Sequence, residues 1–331
     1  MTPDIFPWQT QQWQQLIASK QQNRLPHAIL LMGAKGLGKH QFALSFAHAL
    51  LCEKLEAPCG ECRACYFISA QSHPDLLRVE PLQLGGMIKI DQIRELVKVV
   101  SETTSQGGMR IVIIHPAHAM NSNAANALLK TLEEPAPNTL IILISEQNLR
   151  LSATILSRCQ KILFQKPSSE LALNWLHTQL LTVSKNEVDK KILLNLADGA
   201  PLKAKEWAEQ GWYDLRQALY QNLIALTQRQ ADPLQLAIYY QEQALEVILT
   251  LILTWLQDLL RFKLTQGQAT LINVDYRADF EKLVQCYSKE KLLDYLEHVK
   301  KIYAYIINSL NLNRQLLLEE LFIRWVQYAT C

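Results

Sequence analysis

The sequence predicts an α/β domain built on a parallel sheet over residues 1–166, followed by an all-α region over residues 167–331. Three observations predict this division. Short apolar runs alternate with segments of helical periodicity before Pro167, which is typical of βα units. After Pro167 the apolar residues recur at helical spacing only. A chain of 331 residues is also too long for one ordinary core, so more than one domain is expected.

The composition indicates an ordinary globular protein. Hydrophobic residues make up 49% of the chain and charged residues 19%, with 33 basic and 31 acidic residues giving a net charge of +2. Such a balance argues against a protein whose main role is to wrap nucleic acid. The N-terminus lacks a signal-peptide pattern, and the apolar run Val247–Leu256 is too short to cross a bilayer. We therefore expect a soluble, cytoplasmic protein.

The segment around which the first domain is organised is a glycine-rich turn, Gly33–His40. It follows the apolar run Ala28–Met32, which predicts a buried parallel strand, and precedes Gln41–Leu51, which has helical periodicity. Strand, glycine-rich turn and helix together are the context of a phosphate-binding loop. In such a loop, backbone N–H groups and the helix N-terminus attract an anion.

The loop matches the pattern G-x-x-x-x-G-K-[ST] at every fixed position except the last. Gly33, Gly38 and Lys39 are the vestigial cofactor-binding residues of this pattern, but His40 stands where a Ser or Thr hydroxyl holds Mg²⁺. The loop therefore keeps the shape and the phosphate lysine and lacks the metal ligand. Three interpretations remain open for Lys39. It could keep only a vestigial affinity for phosphate, bind nucleotide weakly, or take part in catalysis, and the first is preferred.

A second magnesium ligand is missing elsewhere. Arg110–Ile114 predicts a buried strand, and in a P-loop ATPase such a strand ends in acidic residues that organise Mg²⁺ and the attacking water. Here it is followed by His115 and His118, and no Asp or Glu occurs between Arg110 and Glu133. Two separate losses predict that this chain does not use Mg²⁺ and ATP itself. A metal pair formed by His115 and His118 is a weaker hypothesis.

Four of the seven cysteines, Cys52, Cys59, Cys62 and Cys65, fall within fourteen positions. Two overlapping C-x2-C units share Cys62, and Cys52 can supply a fourth thiolate from the helix end. The preferred interpretation is a structural Zn²⁺ site with all four positions filled by protein. Reduced structural thiols, a redox dithiol and an iron–sulfur cluster are the alternatives.

The helical region is predicted to contain two domains with a break near Gly211. Residues 167–210 form the smaller one and residues 211–331 the larger, with one long helix expected over Pro233–Thr265. A helical end domain of this kind can also pack against copies of itself in an assembly.

Several motifs resemble those of the AAA+ clamp-loader subunits of bacterial DNA polymerase III. The resemblance extends over nearly the whole chain, and the motifs that carry it are Asn123–Pro135, Leu156-Ser157-Arg158-Cys159, the cysteine pattern, His73-Pro74-Asp75, Gly199-x-Pro201 and Asn311-x-Asn313-Arg314-x-Leu316-Leu317.

The resemblance implies an AAA+ P-loop-type domain over residues 1–166 with a zinc module at 52–65, a helical lid domain at 167–210 and a helical collar or oligomerisation domain at 211–331. The altered loop and strand end resemble the non-motor member of this family, which is thought not to hydrolyse ATP. The implied catalytic role of Arg158 is that of an arginine finger acting in trans at a neighbour's ATP site.

The implied partners are the gamma/tau motor subunits and the delta subunit, the sliding clamp through the complex, and primer–template DNA in the assembly, with no membrane. The chain would support ATP-dependent loading of the sliding clamp in DNA replication. It would be a component of the holoenzyme of a DNA-directed DNA polymerase, a nucleotidyltransferase, without catalytic activity of its own. Its implied cofactor is structural zinc, with ATP and Mg²⁺ not bound.

Two other functions are kept as alternatives. An active ATPase motor would need metal ligands that are missing at His40 and His115. A stand-alone zinc-containing DNA-binding protein would need a basic or aromatic recognition helix beside the cysteines, which the sequence does not offer.

Overall fold

A computed structural model of the chain describes residues 5–54, 58–83, 85–102, 108–146, 151–180, 187–307 and 313–330. The chain divides into two compact units, residues 1–171 and 172–331. The predicted boundary between lid and collar at residue 210 stays a prediction.

The first unit contains one parallel sheet. The strands that the structure describes are β1 (Ala28–Met32), β2 (Leu76–Val79), β3 (Arg110–Ile114), β4 (Thr139–Ser145) and β5 (Gln160–Leu163). They are ordered β2-β3-β4-β1-β5, so β1 lies between β4 and β5. All four pairings are parallel, and Val79 is opposite Ile114 at the carboxyl end of the β2–β3 pair. The predicted α/β architecture is confirmed.

Helices connect these strands and lie over the sheet. Those of this unit are α1 (Thr10–Gln21), α2 (Lys39–Leu51), α3 (Arg63–Ser69), α4 (Ile90–Ser101), α5 (Ser122–Glu133) and α6 (Ala153–Leu156), and α7 (Ser169–Gln179) crosses the unit boundary. The sequence did not predict α3, because a seven-residue helix is too short to show periodicity. The side chain of Cys62 caps α3 by accepting a hydrogen bond from the Cys65 N–H.

The core of the sheet follows from its composition. β3 and β4 are buried at every position, as expected for central parallel strands covered on both faces. Leu30 and Leu143 from the sheet belong to one hydrophobic cluster with Ile93 of α4 and Leu128 of α5. This cluster holds the carboxyl ends of the central strands in place, where the candidate site lies.

A buried ion pair fixes the opposite end of β2 and β3. Asp75 precedes β2, Arg110 begins β3, and Arg110 Nη2 lies 3.4 Å from Asp75 Oδ1 with both side chains almost inaccessible to solvent. The Asp75 N–H donates to His73 Nδ1 at 3.1 Å. The His73-Pro74-Asp75 motif therefore positions one strand beside the next.

The second unit is helical throughout the part that is described. Its helices after α7 are α8 (Glu187–Leu196), α9 (Pro201–Glu209), α10 (Trp212–Thr227), α11 (Pro233–Tyr240), α12 (Leu245–Leu264), α13 (Arg277–Cys286), α14 (Lys289–Ile307) and α15 (Arg314–Tyr328). The prediction of one helix over Pro233–Thr265 is wrong. The segment forms α11 and α12 because α11 packs along α15 whereas α12 packs along α14, which one straight helix could not do.

One hydrophobic cluster spans the second unit, from Ala172 of α7 to Trp325 of α15. A fully buried Arg216 lies within the unit, where its guanidinium pairs with Asp275 and stacks 4.4 Å from the ring centroid of Tyr276. Gly211, with φ of +71°, caps α10 at the predicted break. Asn311 of the C-terminal motif lies outside the described residues. Among the described helices, none is both long and apolar enough to cross a membrane.

Candidate functional site

The phosphate-loop segment joins β1 to α2 as predicted. Gly38, with φ of +80°, is the residue before α2, and a Cβ there would lie 2.5 Å from the ring of Phe6. Trp8 Nε1 and Gln9 Nε2 both donate to the carbonyl of Leu37, at 3.0 and 2.9 Å. The N-terminal segment therefore packs closely on the loop, and only glycine fits at position 38.

Lys39 points back onto its own loop. Its Nζ donates to the carbonyls of Gly33 and Ala34, at 2.8 and 2.7 Å. Burial lowers the pKa of Lys39 to about 8, with the charge of Glu146 opposing that shift. These two contacts occupy two of the three ammonium donors and leave one for an anion.

His40, at the position of the expected hydroxyl, meets residues from two strand ends. Its ring stacks on the ring of His115, with centroids 4.8 Å apart and planes 18° from parallel. Its Nε2 lies 3.5 Å from Oε1 of Glu80. One potential ligand atom from each of the three residues lies within 4.8 Å of the others, and we call this set the His40–Glu80–His115 cluster.

Burial lowers the pKa of both imidazoles in this cluster. For His40 the charge of Glu80 partly opposes the shift, and for His115 the neighbouring His40 adds to it. The neutral form of both rings is therefore favoured.

Sequence reasoning missed Glu80 and the pairing of His115 with His40. His118, the partner considered for His115 in the weaker hypothesis, has its Nδ1 3.4 Å from the hydroxyl of Ser145 and is not among the three residues of the cluster. The signal for Glu80 was present, since Glu80 directly follows β2 and His115 directly follows β3. Carboxyl ends of neighbouring parallel strands meet at one edge of a sheet. What the sequence could not give was the order of the strands, which makes β2 and β3 neighbours.

The four clustered cysteines converge as predicted. Cys52 and Cys62 have Sγ atoms 4.0 Å apart, and those of Cys59 and Cys65 are 3.7 Å apart. All four sulfurs lie within 4.8 Å of one another. In a tetrahedral thiolate site with metal–sulfur bonds of about 2.3 Å, neighbouring sulfurs are about 3.8 Å apart. The geometry therefore fits a bound metal ion.

Backbone N–H groups surround this cluster and favour thiolates. Those of Glu61 and Cys62 donate to Cys59 Sγ at 3.5 and 3.4 Å, and they lower the pKa of the Cys59 thiol to about 6. Burial raises the pKa of the Cys65 thiol to about 12. A cation bound among the sulfurs would remove that penalty, since metal ligation deprotonates cysteine.

Arg158 follows α6 at the rim of the first unit. Its guanidinium forms an ion pair with the carboxylate of Glu133, the last residue of α5. Nη1 also donates to the carbonyl of Thr154 at 2.9 Å. The side chain is 32% exposed, whereas the next residue, Cys159, is buried. The Cys159 side chain thus anchors the segment and leaves the arginine at the surface.

A parallel sheet with a phosphate-loop turn after its first strand places the first unit among the P-loop-type α/β folds. Family models described as "DNA polymerase III, delta subunit" and "DNA polymerase III, delta subunit, C terminal" match residues 8–168 and 210–327. The chain belongs to the family of delta-prime subunits of DNA polymerase III.

Two delta-prime relatives match over nearly their whole length, and a tau subunit matches over part of it. The chain is 36% identical to the DNA polymerase III subunit delta' of Pseudomonas aeruginosa, covering 97% of each chain. It is 30% identical to that of Escherichia coli, covering 98% of this chain and 96% of the relative. It is also 31% identical to the subunit tau of Bacillus subtilis, covering 57% of this chain and 34% of that longer protein. The predicted family is confirmed.

Proposed function

We propose that this chain is the non-motor subunit of a DNA polymerase III clamp loader and that Arg158 is its contribution to ATP turnover. It would assemble with gamma/tau motor subunits and a delta subunit, and act through the complex on the sliding clamp and primer–template DNA. The place of such an assembly is the cytoplasmic replication machinery. Membership of the delta-prime family supports this proposal.

The observation that carries the proposal is the position of Arg158. A guanidinium is always charged and offers rigid, planar donors for the charge that spreads over phosphoryl oxygens in the transition state. Arg158 lies at the surface beside a buried anchor, so a neighbouring subunit's nucleotide can reach it. Its present partner, Glu133, is half-exposed and would be exchanged for phosphate oxygens when the subunits meet.

The chain's own loop is proposed to be without catalytic activity. A hydroxyl is missing at His40 and a carboxylate is missing directly after β3, where His115 stands. Lys39 is already bonded to two loop carbonyls. The fold would therefore be kept for packing against the neighbouring subunits, and hydrolysis would occur on the motor subunits.

The ion in the cysteine cluster is proposed to be Zn²⁺. Four thiolates in tetrahedral spacing favour zinc or an iron–sulfur cluster over magnesium or calcium. Cys52 directly follows α2 and Cys62 caps α3, so an ion there would tie the two helices together. It has no free position for substrate, which makes its role structural.

The test is ATP turnover by the reconstituted clamp loader, stimulated by clamp and primed DNA. Replacing Arg158 by Ala is expected to lower turnover at the adjacent motor site by about 10³-fold or more, the usual contribution of an arginine finger. Arg158→Lys is expected to restore little, because a lysine lacks the planar fork. Assembly of the complex should be unaffected, as measured by gel filtration.

Arg94→Ala is the matched control, since Arg94 is an exposed arginine on α4 of the same unit. Equal turnover by the Arg158→Ala and Arg94→Ala complexes would overturn the arginine-finger role. Magnesium-dependent hydrolysis by the isolated chain would instead identify it as a motor, and tight DNA binding by the isolated chain would favour a nucleic-acid-binding protein.

A further inference from the structure

The His40–Glu80–His115 cluster brings together three metal-ligating side chains from three separate segments. Glu80 and His115 directly follow β2 and β3, and the His115 N–H donates to the Val79 carbonyl at 3.0 Å. His40 comes from the first turn of α2, after β1. The proposed function uses none of these side chains.

From this arrangement we propose a second metal site, formed by His40, Glu80 and His115, that takes a borderline transition-metal ion such as Zn²⁺. It is distinct from the cysteine cluster and lies at the edge of the sheet where a P-loop ATPase holds Mg²⁺. Two imidazoles and a carboxylate are the donor set of many open zinc sites, whereas magnesium prefers oxygen ligands alone.

The distances support this proposal. Zn–N and Zn–O bonds are about 2.0–2.2 Å long. The three ligand atoms lie within 4.8 Å of one another, and the centre of a triangle with such sides is about 2.8 Å from each corner. The donor atoms would therefore each have to move by about 1 Å to close around an ion. Because the two imidazole rings are stacked, one of them would also have to turn so that both nitrogen lone pairs face the ion.

A second observation is the state of His40 Nε2. This nitrogen is shielded from solvent and has no hydrogen-bond partner among the described residues, although Glu80 Oε1 lies 3.5 Å away. Buried ring nitrogens without a partner are costly. A metal ion bonded to Nε2 and to Glu80 would satisfy both groups at once.

Three protein ligands leave a fourth coordination position open. Water would fill it in the isolated chain, and a phosphate oxygen is a chemically matched alternative. An ion here would connect the start of α2 to the ends of β2 and β3. The ion would therefore hold the altered loop in one conformation. It would do so with ligands other than those that hold magnesium in an ATPase.

The experiment is a Zn²⁺ titration of the purified full chain by calorimetry, begun with the cysteine cluster already loaded and repeated in excess Mg²⁺. We expect one further equivalent of Zn²⁺ that Mg²⁺ does not displace. His40→Asn, His115→Asn and Glu80→Gln should each weaken this binding by at least about 100-fold, since even outer-shell losses cost 10–100-fold. His118→Asn, three residues beyond His115 and outside the cluster, should leave it unchanged.

A second measurement does not depend on any variant folding. With Co²⁺ added to the zinc-loaded wild-type chain, visible d–d bands without thiolate charge-transfer absorption would identify a nitrogen and oxygen site. Nuclear magnetic resonance should show two imidazoles perturbed by Zn²⁺ among the eight histidines. No further equivalent in the wild type, or equal affinity in the His40→Asn and His118→Asn chains, would overturn the proposal.

Discussion

The cysteine cluster and the His40–Glu80–His115 cluster differ in how their members are spread along the chain. Cys52, Cys59, Cys62 and Cys65 come from one short stretch and converge through a turn and the cap of α3. The histidines and Glu80 come from the ends of β2 and β3 and the start of α2, which the completed sheet brings together. The cysteine cluster is therefore determined by the spacing of its residues along the chain, and the His40–Glu80–His115 cluster by the order of the strands in the sheet.

The two clusters therefore also differ in the source of their stability. Local ligands that converge on an ion can order a small module, since the binding free energy of the metal becomes folding free energy. Ligands at strand ends are already held by the sheet, so an ion there adds to a structure that exists without it.

The largest effect is expected from Cys62→Ser. Cys62 is both a potential ligand and the cap of α3. Zinc-finger peptides gain about 10–16 kcal/mol on binding structural zinc, so losing one thiolate should release the ion and unfold the module locally. Metal analysis should show one equivalent fewer, and hydrogen exchange should accelerate at the amides of α3.

Cys159→Ser is the matched control for that experiment. Cys159 is buried, and burial raises the pKa of its thiol to about 11, so it stays protonated. The control should retain the metal and the protection of α3. Retention of the metal by Cys62→Ser as well would show that the four sulfurs do not act as one site.

The next effect concerns the sheet that supports the His40–Glu80–His115 cluster. Asp75→Asn should lower the free energy of unfolding by about 3–5 kcal/mol, because it leaves Arg110 charged and buried without its carboxylate. Asp91→Asn, which removes an exposed partner of Arg94, should change it by less than about 0.5 kcal/mol. Urea unfolding measures both, and a similar loss in the two variants would show that the buried pair has no special role.

Hydrophobic and glycine patterns predicted much of the fold. Ala28–Met32 and Arg110–Ile114 were predicted with the bounds that the structure has, because buried parallel strands form continuous apolar runs. The split of Pro233–Thr265 into two helices was not predictable, since it depends on which helices they pack against.

The candidate sites also divide into residues that a local pattern predicts and residues that only the folded structure brings together. The four cysteines were predicted as a set from C-x2-C spacing. Glu80 was not, because its position beside His115 requires the order of the strands, which no local pattern contains. Arg158 was identified by resemblance, and its pairing with Glu133 came only with the structure.

A smaller effect is expected in the loop itself. Gly38→Ala should cost about 2–4 kcal/mol of unfolding free energy, since it combines a left-handed φ with a Cβ 2.5 Å from the Phe6 ring. Gly85→Ala, with a similar φ of +74° and no atom within 4 Å of the new Cβ, should cost only about 1–2 kcal/mol. Thermal unfolding distinguishes them, and equal losses would mean that the packing of Phe6 on the loop is loose.

The smallest effect is expected from restoring the hydroxyl with His40→Thr. The substitution removes the stacking of His40 on His115, so the free energy of unfolding should fall by about 0.5–1.5 kcal/mol. ATP hydrolysis by the isolated chain should stay undetectable, because the end of β3 still carries His115 where an ATPase places a carboxylate. Lys39 would also remain bonded to the carbonyls of Gly33 and Ala34. Turnover assays with and without Mg²⁺ check this. Hydrolysis gained by the single substitution would mean that the missing carboxylate at His115 does not prevent catalysis, and that the side chain at position 40 alone separates this chain from a motor.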